Sequence, residues 1–166
     1  MNKRIKSKGF TIIEVVLVLA IAGLIFLMVF IALPTLQKSQ RDTQRKDDLS
    51  RIETQITSYA NNNRGTVPSS LITTSGSPAK SFVQNYLGGT SANTSGTDFQ
   101  DPSTGTGYTF LAAGTQPTSS GEIGYKSKAI CGTDGAFTST GATARNYAVE
   151  IYLEGQSVPY CVDNRG

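Results

Sequence analysis

No histidine occurs anywhere in the 166 residues, which removes Ser–His and Cys–His nucleophilic catalysis and every histidine-ligated metal site. Cysteine is scarce too. Cys131 and Cys161 stand alone, with no Cys-x-x-Cys between them, so a zinc or dithiol redox role is poorly supported. The chain also lacks a Gly-x-Ser-x-Gly, a P-loop and a dinucleotide fingerprint. These absences point away from an enzyme and call for no cofactor.

Basic excess is absent as well, once its location is considered. The formal charge is +3, but Lys3, Arg4, Lys6 and Lys8 supply four of the fifteen basic residues within the first eight positions. Without that head, eleven basic residues face twelve acidic ones, so nothing suggests a surface that coats nucleic acid. DNA as a partner gains no support from charge.

What the chain does have is a continuous apolar run over residues 15–33, preceded by Lys8-Gly9-Phe10-Thr11-Ile12-Ile13-Glu14. About 20 apolar residues in a helix match a hydrocarbon core of roughly 30 Å, so the run is long enough to span a bilayer. Its front carries Glu14, and a carboxylate within a membrane segment is costly, roughly 2.5–3.5 kcal/mol at mid-depth, and usually paired and functional. The basic flank is that of an export signal. An ordinary secretory signal is cut behind the apolar run at small residues, yet that end reads Phe30-Ile31-Ala32-Leu33-Pro34. The well-placed small residue is Gly9, and a cut there removes the basic leader while keeping the apolar helix.

A short basic leader, Gly9-Phe10-Thr11-x-x-Glu14 and about twenty apolar residues running on into a helix resemble the class III signal of type IV pilins and the related pseudopilins. The resemblance covers residues 1–34 closely, the rest of the helix less so, and beyond Arg64 only the architecture. It implies a leader of residues 1–9, removed by a prepilin peptidase after Gly9, and methylation of the new Phe10 amine. It further implies a subunit held in the cytoplasmic membrane as a single-pass protein, then drawn by a pilus assembly platform into an extracellular helical homopolymer. Glu14 and Phe10 would be the assembly residues: a free amine in the same apolar layer is the counter-charge for a carboxylate of a neighbouring chain, and the pair sets axial register. The alternative for Glu14, compatible with the first, is that it complements the positive end of its own helix, worth about 0.3–1 kcal/mol.

Beyond the apolar run, Pro34 is expected to break or kink the helix. Residues 36–48 are almost entirely polar, and Leu49, Ile52, Ile56 and Tyr59 then make one helical stripe. Asp42 with Lys46, and Asp47 with Arg51, are four apart and read as supports of a solvated opposite face. A helix over residues 10–64, with its filament-core segment at about 10–33, should end in Asn61-Asn62-Asn63-Arg64-Gly65.

Residues 65–166 read as a globular head. Residues 77–88 suggest a short helix with Ser77 as cap, Pro78 in its first turn, Phe82, Val83, Tyr86 and Leu87 as its apolar face and Gly88 as its stop. Residues 89–107 read as loop, and residues 108–112, 123–130, 147–153 and 158–162 as strands. The expected fold class is α+β: a long N-terminal helix packed by its 49–59 stripe on a small antiparallel sheet, an arrangement that also resembles the pilin head. In an exported domain, Cys131 and Cys161 most simply form one disulfide, closing a C-terminal loop as in many type IV pilins; two buried thiols are the alternative.

Lesser features have bland readings beside functional ones. Asp98 and Asp101 offer oxygens for calcium, although Asp101-Pro102 is more simply a turn. Asn93-Thr94-Ser95 is a glycosylation sequon. Lys126 and Lys128 share one face of an expected strand and are the residues that would meet DNA or a surface partner, a solvated edge being the simpler account. The expected function is a type IV pilin serving adhesion, twitching motility or DNA uptake. A pseudopilin of a secretion or competence system is the nearest alternative, and a single-pass anchored binding protein the next.

Overall fold

The computed structural model describes residues 9–72 and 81–165, arranged as two compact units, Met1–Gln37 and Lys38–Gly166. The basic leader residues Lys3, Arg4, Lys6 and Lys8 lie outside the described residues.

One helix, α1 (Ile12–Asn62), runs through both units, and Pro34 lies inside it rather than ending it. A proline removes one helical hydrogen bond, and more than twenty helical residues on either side of Pro34 outweigh that loss. The helix stops as expected. The Gly65 N–H reaches back to Ala60 O at 2.7 Å, with Arg64 (φ 56°) and Gly65 (φ 79°) both in the left-handed region, closing the last turn in a Schellman-like cap. It is Arg64, not the glycine, that takes the first left-handed position.

In the second unit, β1 (Thr109–Phe110), β2 (Glu122–Ser127), β5 (Tyr147–Ile151) and β6 (Tyr160–Asp163) form a sheet in the order β1-β2-β5-β6. The β2–β5 and β5–β6 pairs are antiparallel, whereas β1 pairs with β2 in parallel, so the sheet is mostly antiparallel rather than wholly so. A second hairpin, β3 (Ile130–Cys131) with β4 (Phe137–Thr138), was not expected from the sequence. It exists because the expected strand over 123–130 breaks at Lys128, whose φ of 53° ends the extended run while its N–H bonds Asn146 O at 2.7 Å. Lys126 and Lys128 therefore do not share a strand face.

The predicted stripe forms the core. Leu49, Ile52 and Ile56 are fully buried, in one cluster with Phe110, Ile123, Tyr125, Tyr147, Val149 and Ile151. Two tyrosines anchor the helix to the sheet side through polar tips: Tyr108 Oη donates to Asp48 at 3.0 Å, and Tyr147 Oη donates to Glu53 O at 3.3 Å. The short helix α2 (Phe82–Tyr86) starts later than expected. Its cap is Ser81, which accepts from Gln84 N while the Gln84 side chain accepts from Ser81 N, a reciprocal box. The predicted cap Ser77 and first-turn Pro78 lie outside the described residues. Phe82 stacks on Tyr86 at 4.9 Å and meets Tyr59 edge-on at 5.9 Å, which ties α2 to α1.

Cys131 and Cys161 are joined in a disulfide, Cα to Cα 5.8 Å, across 30 residues of sequence. On a chain-entropy account that closure stabilises the folded head by about 3–4 kcal/mol. Cys131→Ser or Cys161→Ser is expected to cost about 2–5 kcal/mol in denaturant unfolding of the head. An unchanged midpoint, or free thiols on labelling of the unreduced protein, would contradict the bridge.

Candidate functional site

The residues singled out at the N-terminus, Gly9, Phe10 and Glu14, all lie in the first unit. Thr11 precedes the helix, and its N–H and Oγ1 both donate to Glu14 Oε2, at 2.8 and 2.9 Å. Glu14 N donates to Thr11 Oγ1 at 3.3 Å. This is a capping box: Thr11 is the cap, Glu14 the third helical residue, and each satisfies a backbone N–H of the other. The Thr11-x-x-Glu14 spacing announced it, and the sequence reading passed over Thr11. Both hydrogen bonds to the carboxylate fall on one oxygen, Oε2.

Around this cap none of the described residues covers the apolar surface. Phe10 is 88% exposed and Ile12 84%, and large side chains from Ile13 to Leu36 remain exposed along the helix. An 18-residue window of α1 has a mean hydropathy of 3.2 with none of it buried, so the helix is long and apolar enough to cross a membrane. Phe10, Glu14, Val15, Val18 and Leu19 border one open apolar groove. Gly9 is equally informative by what it does not touch: a Cβ built there meets nothing within 4 Å. No packing contact of the described residues asks for glycine at that position.

The polar half of α1 departs from expectation. Arg41 to Asp48 is not a bare solvated face, for Arg45 and Asp48 are buried. Arg45 bonds Asp101 through Nε (2.6 Å) and Nη2 (3.2 Å), Asp42 at 3.0 Å, Glu154 at 2.9 Å and Ser103 Oγ at 3.0 Å. Arg41 grips Glu154 at 2.6 and 2.9 Å, and Asp42 accepts the N–H groups of Glu154 and Gly155, each at 2.9 Å. Burial pulls the Arg45 pKa down, but Asp101 and Glu154 outweigh it and hold the guanidinium above its ordinary value. Burial likewise opposes ionisation of Asp101, yet Arg45 and Ser103 keep its carboxyl below the usual range. Arg41 foremost does the same for Glu154. Asp48 goes the other way, raised by its own burial despite Tyr108 and Arg51.

The expected pairs are accordingly replaced. Asp42 turns to Arg45 rather than Lys46, which lies 4.9 Å over the Tyr160 ring, and Arg51 bonds Asp48 rather than Asp47. The inward face of the helix wins because the loops at 98–107 and 153–155 present carboxylates and N–H groups there. Asp101 is fully buried and spent on Arg45 and Ser103, while Asp98 is exposed and offers Arg51 only its backbone oxygen, at 3.1 Å. Among the described residues no group of three acidic or thiol side chains is arranged to hold a metal ion. At the sequon, Asn93 is exposed but Ser95 is buried and donates its hydroxyl to Phe99 O at 2.7 Å.

Comparison with known proteins agrees with the N-terminal geometry. Residues 4–30 match the prokaryotic N-terminal methylation motif, the hallmark of type IV pilins and pseudopilins. That motif marks structural, non-enzymatic proteins that are processed by a prepilin peptidase, enter the membrane and assemble. Searches of curated proteins and of solved structures returned no match.

Proposed function

We propose that this chain is a type IV pilin: a subunit cut after Gly9, methylated on the Phe10 amine, held in the cytoplasmic membrane by residues of about 10–33 and polymerised through that helix into an extracellular filament. The observation that carries the reading is the uncovered apolar helix headed by the Thr11–Glu14 box within the methylation motif. A helix so exposed needs lipid before assembly and other copies of itself afterwards, because water is excluded as a lasting environment by the area left bare.

The capping box and the inter-subunit role of Glu14 work together. Thr11 holds the carboxylate by Oε2 at the entrance of the helix, which leaves the other oxygen for the Phe10 amine of a neighbouring copy. Unpaired, either charge is costly in an apolar layer; paired, both are relieved and the stagger of adjacent helices is defined. Adhesion, twitching motility and DNA uptake are the functions such a filament serves.

Processing gives the test of this reading. Gly9→Leu is expected to leave the whole chain uncut in the membrane, since the packing of the described residues does not need glycine there and only the peptidase does. The measurement is an immunoblot of membrane and surface fractions, with Gly9→Ala as the mild control. Efficient maturation of Gly9→Leu would remove the basis of the proposal.

A further inference from the structure

The sheet has two faces, and the one turned away from α1 holds an unexplained charge. Tyr147, Val149 and Ile151 of β5 belong to the core, so by strand alternation Glu150 points to the opposite side. It is nonetheless fully buried, and neither carboxylate oxygen has a hydrogen-bond partner among the described residues. Buried, unpaired carboxylates are rare because the charged form forfeits its hydration.

Its cover can be identified. Across β2, Glu150 faces Gly124, where a Cβ would come within 2.6 Å of Thr115 O, 3.0 Å of Pro117 Cδ and 3.3 Å of Phe137 Cζ. Glycine at 124 thus lets residues 115–117 and β4 lie directly on the sheet. Across β6, Glu150 faces Cys161, whose disulfide to Cys131 fastens the β3–β4 hairpin over the same side. Four charged groups among the described residues lie on its side of the sheet; one, Glu122 on the same face of β2 as Gly124, is held by the Thr118 and Ser119 N–H groups. Lys126 of β2 favours its ionised form and Asp134, in the turn between β3 and β4, opposes it; Asp163 of β6 is engaged by Arg165 and the Cys131 N–H. Residues 115–117 bring no charge. The Gln116 amide and the Phe137 N–H favour the carboxylate without completing a hydrogen bond to it.

We propose that Glu150 is a pH-sensitive latch: neutral, it stays beneath the β3–β4 hairpin and residues 115–117; ionised, it draws water in and loosens that cover, which the disulfide keeps attached. The proton released goes to solvent. Burial, the largest influence, pushes the carboxyl up to about 7 from an ordinary 4.5. A raised acid binds its proton more tightly folded than unfolded. The latch's contribution is therefore complete below about pH 4.5 and lost as pH rises through about 7.

Amide hydrogen exchange followed by mass spectrometry on the full chain in detergent tests this, with rates corrected for the intrinsic pH dependence of exchange. Opening of peptides covering 112–118 and 130–138 should rise on the order of tens of fold between about pH 5 and pH 8. Peptides from α1 should not follow. Glu150→Gln should flatten that rise, because a neutral amide never ionises. A pH-independent wild type, or the same rise in Glu150→Gln, would overturn the proposal. If Glu150→Gln does not fold, carbon-13 carboxyl NMR of the wild type decides, with the Glu150 and Glu53 signals assigned because burial also raises Glu53: Glu150 titrating near 7 supports the latch, and Glu150 titrating at or below its ordinary 4.5 overturns it.

Discussion

Glu14→Leu is expected to abolish surface filaments while leader-free subunit accumulates in the membrane. The substitution leaves an apolar segment more apolar, so insertion is undisturbed. The second unit, Lys38–Gly166, has its own core and should fold unchanged. On the proposed pairing, what is lost is the counter-charge for the neighbouring Phe10 amine, a defect of roughly 3–5 kcal/mol for each buried contact. Because Glu14 also caps its own helix, a second variant separates the two roles. Glu14→Gln keeps an oxygen for the Thr11 N–H and hydroxyl and keeps the box intact, but carries no charge. If charge is what assembly needs, Glu14→Gln should fail nearly as completely as Glu14→Leu. If capping alone matters, Glu14→Gln should make filaments normally, and the register argument would then fall. Electron microscopy of both strains, with blots for processed subunit, distinguishes the outcomes.

Arg45→Met is expected to destabilise the head strongly. Removing a fully buried guanidinium strands Asp101 without its bidentate partner and takes one contact each from Asp42 and Glu154. Breaking a buried ion pair from one side costs roughly 3–5 kcal/mol, which for a unit of this size lowers Tm by roughly 10–20 °C. Arg45→Lys should recover little, since a single ammonium cannot bond Asp101 twice and reach Asp42 and Glu154 as well. The pH dependence has a definite sign. Asp101 and Glu154 are held below the ordinary carboxylate range, so their contribution is complete above that range and is lost as pH falls below about 4. Thermal unfolding at pH 7 and at pH 3.5 should show the gap between wild type and Arg45→Met narrowing in acid. A gap that is small at neutral pH would mean that the network contributes little.

The helix was legible because its signals are local. The stripe of Leu49, Ile52, Ile56 and Tyr59 needs only a period of 3.6, and the stop at 61–65 only its poor helix formers and a glycine. The disulfide followed from an even cysteine pair in an exported chain. The ion network was not legible, and the reason is physical. Arg41, Asp42, Arg45 and Asp48 look like a solvated face until the residues that meet them are known, and those residues, Asp101, Glu154 and Tyr108, lie some sixty to over one hundred positions later. The parallel β1–β2 pair and the β3–β4 hairpin are short, two residues in β1, β3 and β4, and strands that brief carry no alternation to read. Glu150 reads as polar on an exposed strand face; what buries it are residues 115–117, admitted by the glycine opposite, and the disulfide-bound hairpin. Thr11 was the avoidable miss, for the capping spacing was plain.

Intact-mass measurement of the protein sheared from the cell surface tests the central claim most directly. The account predicts a chain that begins at Phe10, carries one added methyl group on its amine, and is lighter by two hydrogens than the reduced form because Cys131 and Cys161 are joined. Surface protein that still carries residues 1–9, or an unmethylated chain found only as single copies in the membrane, would contradict it.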